Sequence, residues 1–134
     1  LVEKQREHWD PILDWALSEF NANFETGEGI AFVTQPKESI ALFGARLKVH
    51  ADPFKLASIH TFTSISGSAL IALALADNHL EAETAWTAAH VDEDWNIEQW
   101  GEDFEAQERR AQKWIDFRCI GWIDLHLCIL SITA

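Results

Sequence analysis

Methionine and tyrosine are missing from this chain, and cysteine occurs only twice in 134 residues. Cys119 and Cys128 form no C-x-x-C pair and have no histidine at zinc-ligand spacing around them. A reducing intracellular compartment is the simple reading. Basic residues are scarce and unevenly placed. No lysine or arginine falls between Leu56 and Gln107, and all ten lie at or before Lys55 or at or after Arg109. Nucleic-acid binding rests on lysine and arginine neutralising phosphates, so the net charge of −12 argues against that role. It argues equally against an anionic membrane surface. Long apolar runs are also lacking. "ALIALALA" (Ala69 to Ala76) is the longest, far short of the roughly 20 residues of a membrane span. The opening "LVEKQREHW" has no apolar stretch of the kind a secretory signal needs.

Against these absences stand seven tryptophans and a hydrophobic fraction of 48%, enough for one sizeable core. Helix punctuation is frequent. Asp10-Pro11 and Asp52-Pro53 each fit an N-cap acid followed by proline at the first helical position, and Pro36 opens a helix in the same way. Asn78 with Glu81 three residues on resembles a capping box, and Asp92, Glu93 and Asp94 suit a helix first turn. The pattern predicts helices over about 11–21 (with a helical lead-in), 36–49, 53–65, 67–77, 80–91 and 92 past 113. The last helix continues or breaks near Gly121, and Ser66-Gly67-Ser68 kinks one helix or separates two. Only "IAFV", within residues 29–35, reads as a short extended segment. The fold class is all-α: a compact multi-helix bundle in one domain, residues 1–134. Its centre is "IHTFTSISGSALIALALA", apolar nearly all round and rich in small residues.

Chemistry-bearing motifs are weak. No histidine has a glutamate three residues before it, as a di-iron bundle requires. His79 with Glu83, and His90 with Asp94, are i,i+4 pairs that specify a metal site only loosely. "SISGS" lacks the G-x-S-x-G order of a nucleophile elbow, and no nucleotide-binding glycine pattern occurs. The reading is of no enzyme, no cofactor and no metal.

The densest acidic stretch is "NIEQWGEDFEAQERR", residues 96–110. On a continuous helix, Ile97, Phe104, Ala111, Trp114 and Ile115 fall within about 60° of Trp100 and form a core stripe. Glu98, Glu102, Glu105 and Arg109 then point the opposite way, with Glu105 and Arg109 as an i,i+4 ion pair. Such a face is usually plain solvated surface. Two features favour a partner surface instead. Glu98 and Glu102 are like charges at i,i+4, and Trp95 projects near the acidic side.

In order along the chain, "WDPILDWA" (9–16), "GIAFVTQP" (29–36), "SGSALIALALADNHLEAETAW" (66–86) and "DEDWNIEQWGED" (92–103) resemble the helical C-terminal domain of the Atp12-type assembly chaperones of the F-type ATP synthase α subunit. The resemblance covers nearly the whole chain, and its α-proteobacterial branch is the nearer. It implies a monomeric chaperone that binds the free α subunit, prevents its aggregation and releases it during assembly of the catalytic head. It implies no nucleic acid partner and no membrane insertion. The location would be the bacterial cytoplasm, or the mitochondrial matrix in a eukaryote. The family's N-terminal β-rich domain is not present in these residues. A family glutamate three residues after the Trp-Gly glycine is replaced by Phe104, so Asp103 or Glu105 takes its place, and the outward projection favours Glu105. The client-binding residues so expected are Trp95, Glu98, Glu102, Asp103 and Glu105. Residues 119–134 match no family pattern. Two alternatives stay open: a small helical-bundle metal or carboxylate enzyme, and a general helical interaction module.

Overall fold

Seven helices account for the regular structure of the computed structural model, which describes residues 1–27, 29 and 32–132, with side chains as far as Gly121. They are α1 (Val2–Phe20), α2 (Lys37–Leu47), α3 (Pro53–Ser66), α4 (Ala69–Ala76), α5 (Ala82–Ala89), α6 (Val91–Trp100) and α7 (Phe104–Ile132). Among the described residues there is no strand, so the all-α class is observed. Of "IAFV", Ile30 and Ala31 lie outside the described residues, and residues 32–36 belong to no helix or strand. The chain divides into two compact units, Leu1–Ala51 and Asp52–Ala134.

In the first unit, α1 absorbs both the lead-in and the helix predicted from residue 11. Asp10 is not an N-cap. Pro11 sits inside α1, where its ring costs one hydrogen bond to the carbonyl four residues back, yet the helix runs through. Ile12, Trp15 and Ala16 are buried at helical spacing, and Trp15 meets Phe20 edge-on at 5.5 Å. Asn21 ends the helix in the left-handed region at φ 57°, its N–H bonding to the Leu17 carbonyl. The connection to α2 is fastened by side chains. Gln35 receives the Glu25 N–H on Oε1 at 2.9 Å and donates from Nε2 to the Glu25 carbonyl at 2.8 Å. Buried Ser39 donates to the Asn23 carbonyl at 2.6 Å. Pro36 is the N-cap of α2, one position earlier than expected.

In the second unit, Asp52-Pro53 behaves as the sequence predicts. Asp52 Oδ1 accepts from the N–H groups of Phe54 and Lys55 at 2.9 and 3.0 Å, and Pro53 opens α3. Gly67, at φ 72°, separates α3 from α4, so Ser66-Gly67-Ser68 is a break with its own caps rather than a kink. Ser68 Oγ accepts from the Ile71 N–H at 3.3 Å. The eight residues of α4 include five buried ones: Ile71, Ala72, Leu73, Ala74 and Ala76. It packs against α3 and α5, which in turn pack against α7, so the small-residue central helix holds the place expected of it. Phe62, Leu73 and Phe117 are the largest fully buried side chains, and Gly121 brings α7 close to Phe62.

Two local expectations fail here. Asn78 does not cap α5. It ends α4 at φ 57°, a conformation asparagine tolerates, and Glu81 takes the N-cap position without a side-chain bond. The predicted continuous helix from 92 past 113 is also broken. The break falls at Gly101–Asp103, not near Gly121, through which α7 runs on. Gly101 has φ 84° and ψ 176°, a region open essentially to glycine alone.

Candidate functional site

The break at Gly101 decides the surface of the second unit. A continuous helix would have kept one apolar stripe, but three non-helical residues reset the phase between α6 and α7. Trp100 and Phe104, placed in the core by that projection, are 83% and 72% exposed. Ala111 and Ile115 are exposed as well, while Ile97 and Trp114 remain half-buried. The inward face of α7 instead runs through Gln107, Arg110, Trp114, Phe117 and Gly121, at spacings of three and four. Arg110 hides that stripe from a hydrophobicity reading, because a guanidinium occupies a position where an apolar residue is expected.

Between α5, α6 and the first half of α7 lies an open cleft of about 780 Å³. Its apolar wall is made by Trp86, Ile97, Trp100 and Trp114. Behind it the aromatic rings continue into the core. Trp86 lies 5.1 Å from Trp114 and 5.6 Å from Phe117, and Phe117 lies 4.9 Å from Phe62. Trp86 also stacks at 3.9 Å on buried His90, whose Nδ1 donates to the Trp86 carbonyl at 2.8 Å. That bond fixes the ring at the junction of α5 and α6. Trp86 and Trp114 therefore stand on an anchored base, whereas Trp100 projects at the rim.

The polar wall carries four carboxylates, Glu93, Asp94, Glu102 and Asp103, against one guanidinium, Arg110. Arg110 Nη2 pairs with Asp94 at 2.5 Å, and Nη1 lies 4.0 Å from Glu93. Asp103 Oδ1 accepts from the Ala106 N–H at 2.9 Å and so caps α7. Glu102 receives a bond from the Gln107 side-chain amide.

The five expected client-binding residues are not gathered in one place. Glu102 and Asp103 lie on the cleft lip. Trp95 is half-buried on α6 outside the cleft lining, and Glu98 is exposed on the same helix. Glu98 and Glu102 are not a helical i,i+4 pair, because α6 ends at Trp100. Glu105 lies in the first turn of α7 and makes the expected pair with Arg109 at 3.6 Å, both side chains well exposed. Sequence reasoning missed Trp86, Trp100, Trp114 and Arg110 as cleft residues. The available signal was Gly101 itself, immediately after a tryptophan and within a charged run.

The loosely specified metal pairs do not assemble. His90 Nε2 faces Glu93 at 3.9 Å rather than Asp94, and His79 lies beyond α4 while Glu83 lies in α5. Among the described residues no three histidine, cysteine, aspartate or glutamate side chains are placed to share an ion. No described helix is long and apolar enough to cross a membrane.

No family model matches the sequence. Solved structures do. The Atu1473 protein of Agrobacterium tumefaciens, described as a candidate chaperone, shares 49% identity over 94% of this chain, with a TM-score of 0.88. Atp12 of Paracoccus denitrificans shares 30% identity over 92% of the chain, with a TM-score of 0.85, and a substituted form of it gives 0.86. The chain spans about half the length of these proteins, 47% of the first and 52% of the second. At this identity the likeness is one of sequence as well as of fold, and over the half of their length that it spans the chain is similar to Atp12-type proteins through both compact units.

Proposed function

We propose that the chain acts in assembly of the F-type ATP synthase catalytic head, as a chaperone that binds the free α subunit and keeps it from aggregating. The observation that carries this reading is the match to Atp12 and to a candidate chaperone over more than nine-tenths of the chain. The cleft adds a physical means. Its tryptophans offer an apolar, partly preformed surface to a client that still exposes a subunit-facing patch, and its carboxylates orient the encounter. Aromatic residues in such a setting supply most of a contact's energy. The role is binding rather than catalysis, carried out as a monomer, in the bacterial cytoplasm or the mitochondrial matrix. Trp95, Glu98, Glu102, Asp103 and Glu105 remain proposed client contacts, joined by Trp86, Trp100 and Trp114.

The test is aggregation of purified α subunit, followed by light scattering with and without the protein, together with co-precipitation of the two. Suppressed scattering and a one-to-one complex are expected. Reversing the charge of Glu98, Glu102 and Glu105 to lysine should weaken the complex while the helical circular dichroism persists. Unchanged scattering with the native protein would refute the chaperone reading. Undiminished binding by the reversed variant would leave those acids as plain solvated surface.

A further inference from the structure

We propose that the cleft between α6 and α7 reads arginine: it receives an arginine side chain carried on an amphipathic segment of the partner polypeptide. This deepens the proposed chaperone function and rests on it.

Charge complementarity selects the occupant. Four carboxylates line the cleft and one guanidinium answers them, so the lining is left with excess negative charge. Arg109 and Lys113, the other bases within residues 86–114, do not line the cleft, and Arg109 pairs with Glu105 outside it. An acidic segment or a nucleic acid would be repelled by that excess charge, and an apolar segment would leave it uncompensated.

The aromatic wall selects arginine over lysine. A planar guanidinium stacks on indole faces and pairs with carboxylates through two parallel bonds, whereas an ammonium is a compact, strongly hydrated point charge. The protein's own arginines already use these groups. Arg110 is largely buried against the cleft and bonds Asp94, and Arg118 lies over the Trp114 ring at 5.6 Å. Further out, Trp100 is exposed at the rim beside Glu102 and Asp103. An indole and two carboxylates thus stand together where an incoming guanidinium first arrives, and Ile97 and Trp114 receive the apolar residues beside it.

The experiment uses the native chain and an acetylated leucine–alanine–arginine helical peptide. Matched peptides carry lysine or the uncharged isostere citrulline in place of arginine. Indole N–H signals, assigned by single tryptophan-to-phenylalanine replacements, are followed by NMR. The arginine peptide should shift the Trp86, Trp100 and Trp114 signals and bind about tenfold more tightly than the citrulline peptide, with lysine between them. The double variant Glu102→Gln with Asp103→Asn should remove most of that preference, since asparagine keeps the α7 cap. Equal binding of the arginine and citrulline peptides, or shifts confined to tryptophans outside the cleft, would overturn the proposal. The native chain's effect on α-subunit scattering separates the two readings. Suppression without arginine preference sinks only the arginine site, whereas arginine preference without suppression sinks the chaperone role.

Discussion

Arg110, in the second turn of α7, pairs with Asp94, in the first turn of α6, with Nη2 2.5 Å from Oδ1. The chain turns back at Gly101, about midway between them, so this pair ties the two helices across the cleft. Arg110 is largely shielded, but Asp94 is 38% exposed, and solvent screens the attraction accordingly. A double-mutant cycle with Arg110→Met and Asp94→Asn should give a coupling of about 0.5–1 kcal/mol in urea unfolding. A coupling near zero would make the pair incidental to the placement of α6 and α7.

Phe62 and Phe117 are fully buried with ring centres 4.9 Å apart, while Phe104 is exposed in the first turn of α7. Phe62→Ala and Phe117→Ala should each cost about 3–5 kcal/mol, through lost burial and the cavity left behind. Phe104→Ala should change stability by no more than about 0.5 kcal/mol. Chemical denaturation of the three variants checks the contrast. A large loss at Phe104 would return it to the core where a continuous helix would have put it.

Gly101 occupies a backbone region that side-chain-bearing residues avoid, although a Cβ built there would touch nothing. The cost of Gly101→Ala is therefore conformational rather than steric crowding, about 1–3 kcal/mol. The alanine variant should lower the melting temperature and alter the Trp100 environment, seen as a shift of its indole signal. A melting temperature equal to or above that of the native chain would mean that α6 and α7 can join without loss.

The two Asp-Pro pairs have opposite fates, and substitution should separate them. Asp52 caps α3 with two hydrogen bonds, so Asp52→Ala should cost about 1 kcal/mol. Asp10 lies exposed within α1 and caps nothing, so Asp10→Ala should be nearly neutral. Thermal melts of the two variants, run side by side, would expose an error if their effects were equal.

These pairs also show how far local sequence reaches. Asp-Pro is a cap wherever the preceding residues cannot be helical, and the sequence before Asp52 ends α2 and turns. Before Asp10 the residues are good helix formers, so α1 simply runs across the proline at the loss of one bond. Asn78 offers the same lesson, since its short side chain suits a helix end in the left-handed region as well as a helix start. The central helix was legible because eight consecutive apolar residues, half of them alanine, admit no solvated face. The cleft was not, because a helical projection presumes one unbroken phase, and its inward stripe carries an arginine.

By itself the sequence determined the all-α class, the buried α4, the Asp52 cap, the acidic balance and the family resemblance, since each depends on residues close together or on composition. Only the tertiary structure decided which residues line the cleft. One glycine conformation moved Trp100 and Phe104 from core to surface, brought Arg110 against Asp94, and set Glu102 and Asp103 beside tryptophans distant in the chain. The physical reason is that backbone torsion at a single position changes the direction of everything after it. The stable direction is then chosen by packing against α3 and α5, which no local window contains.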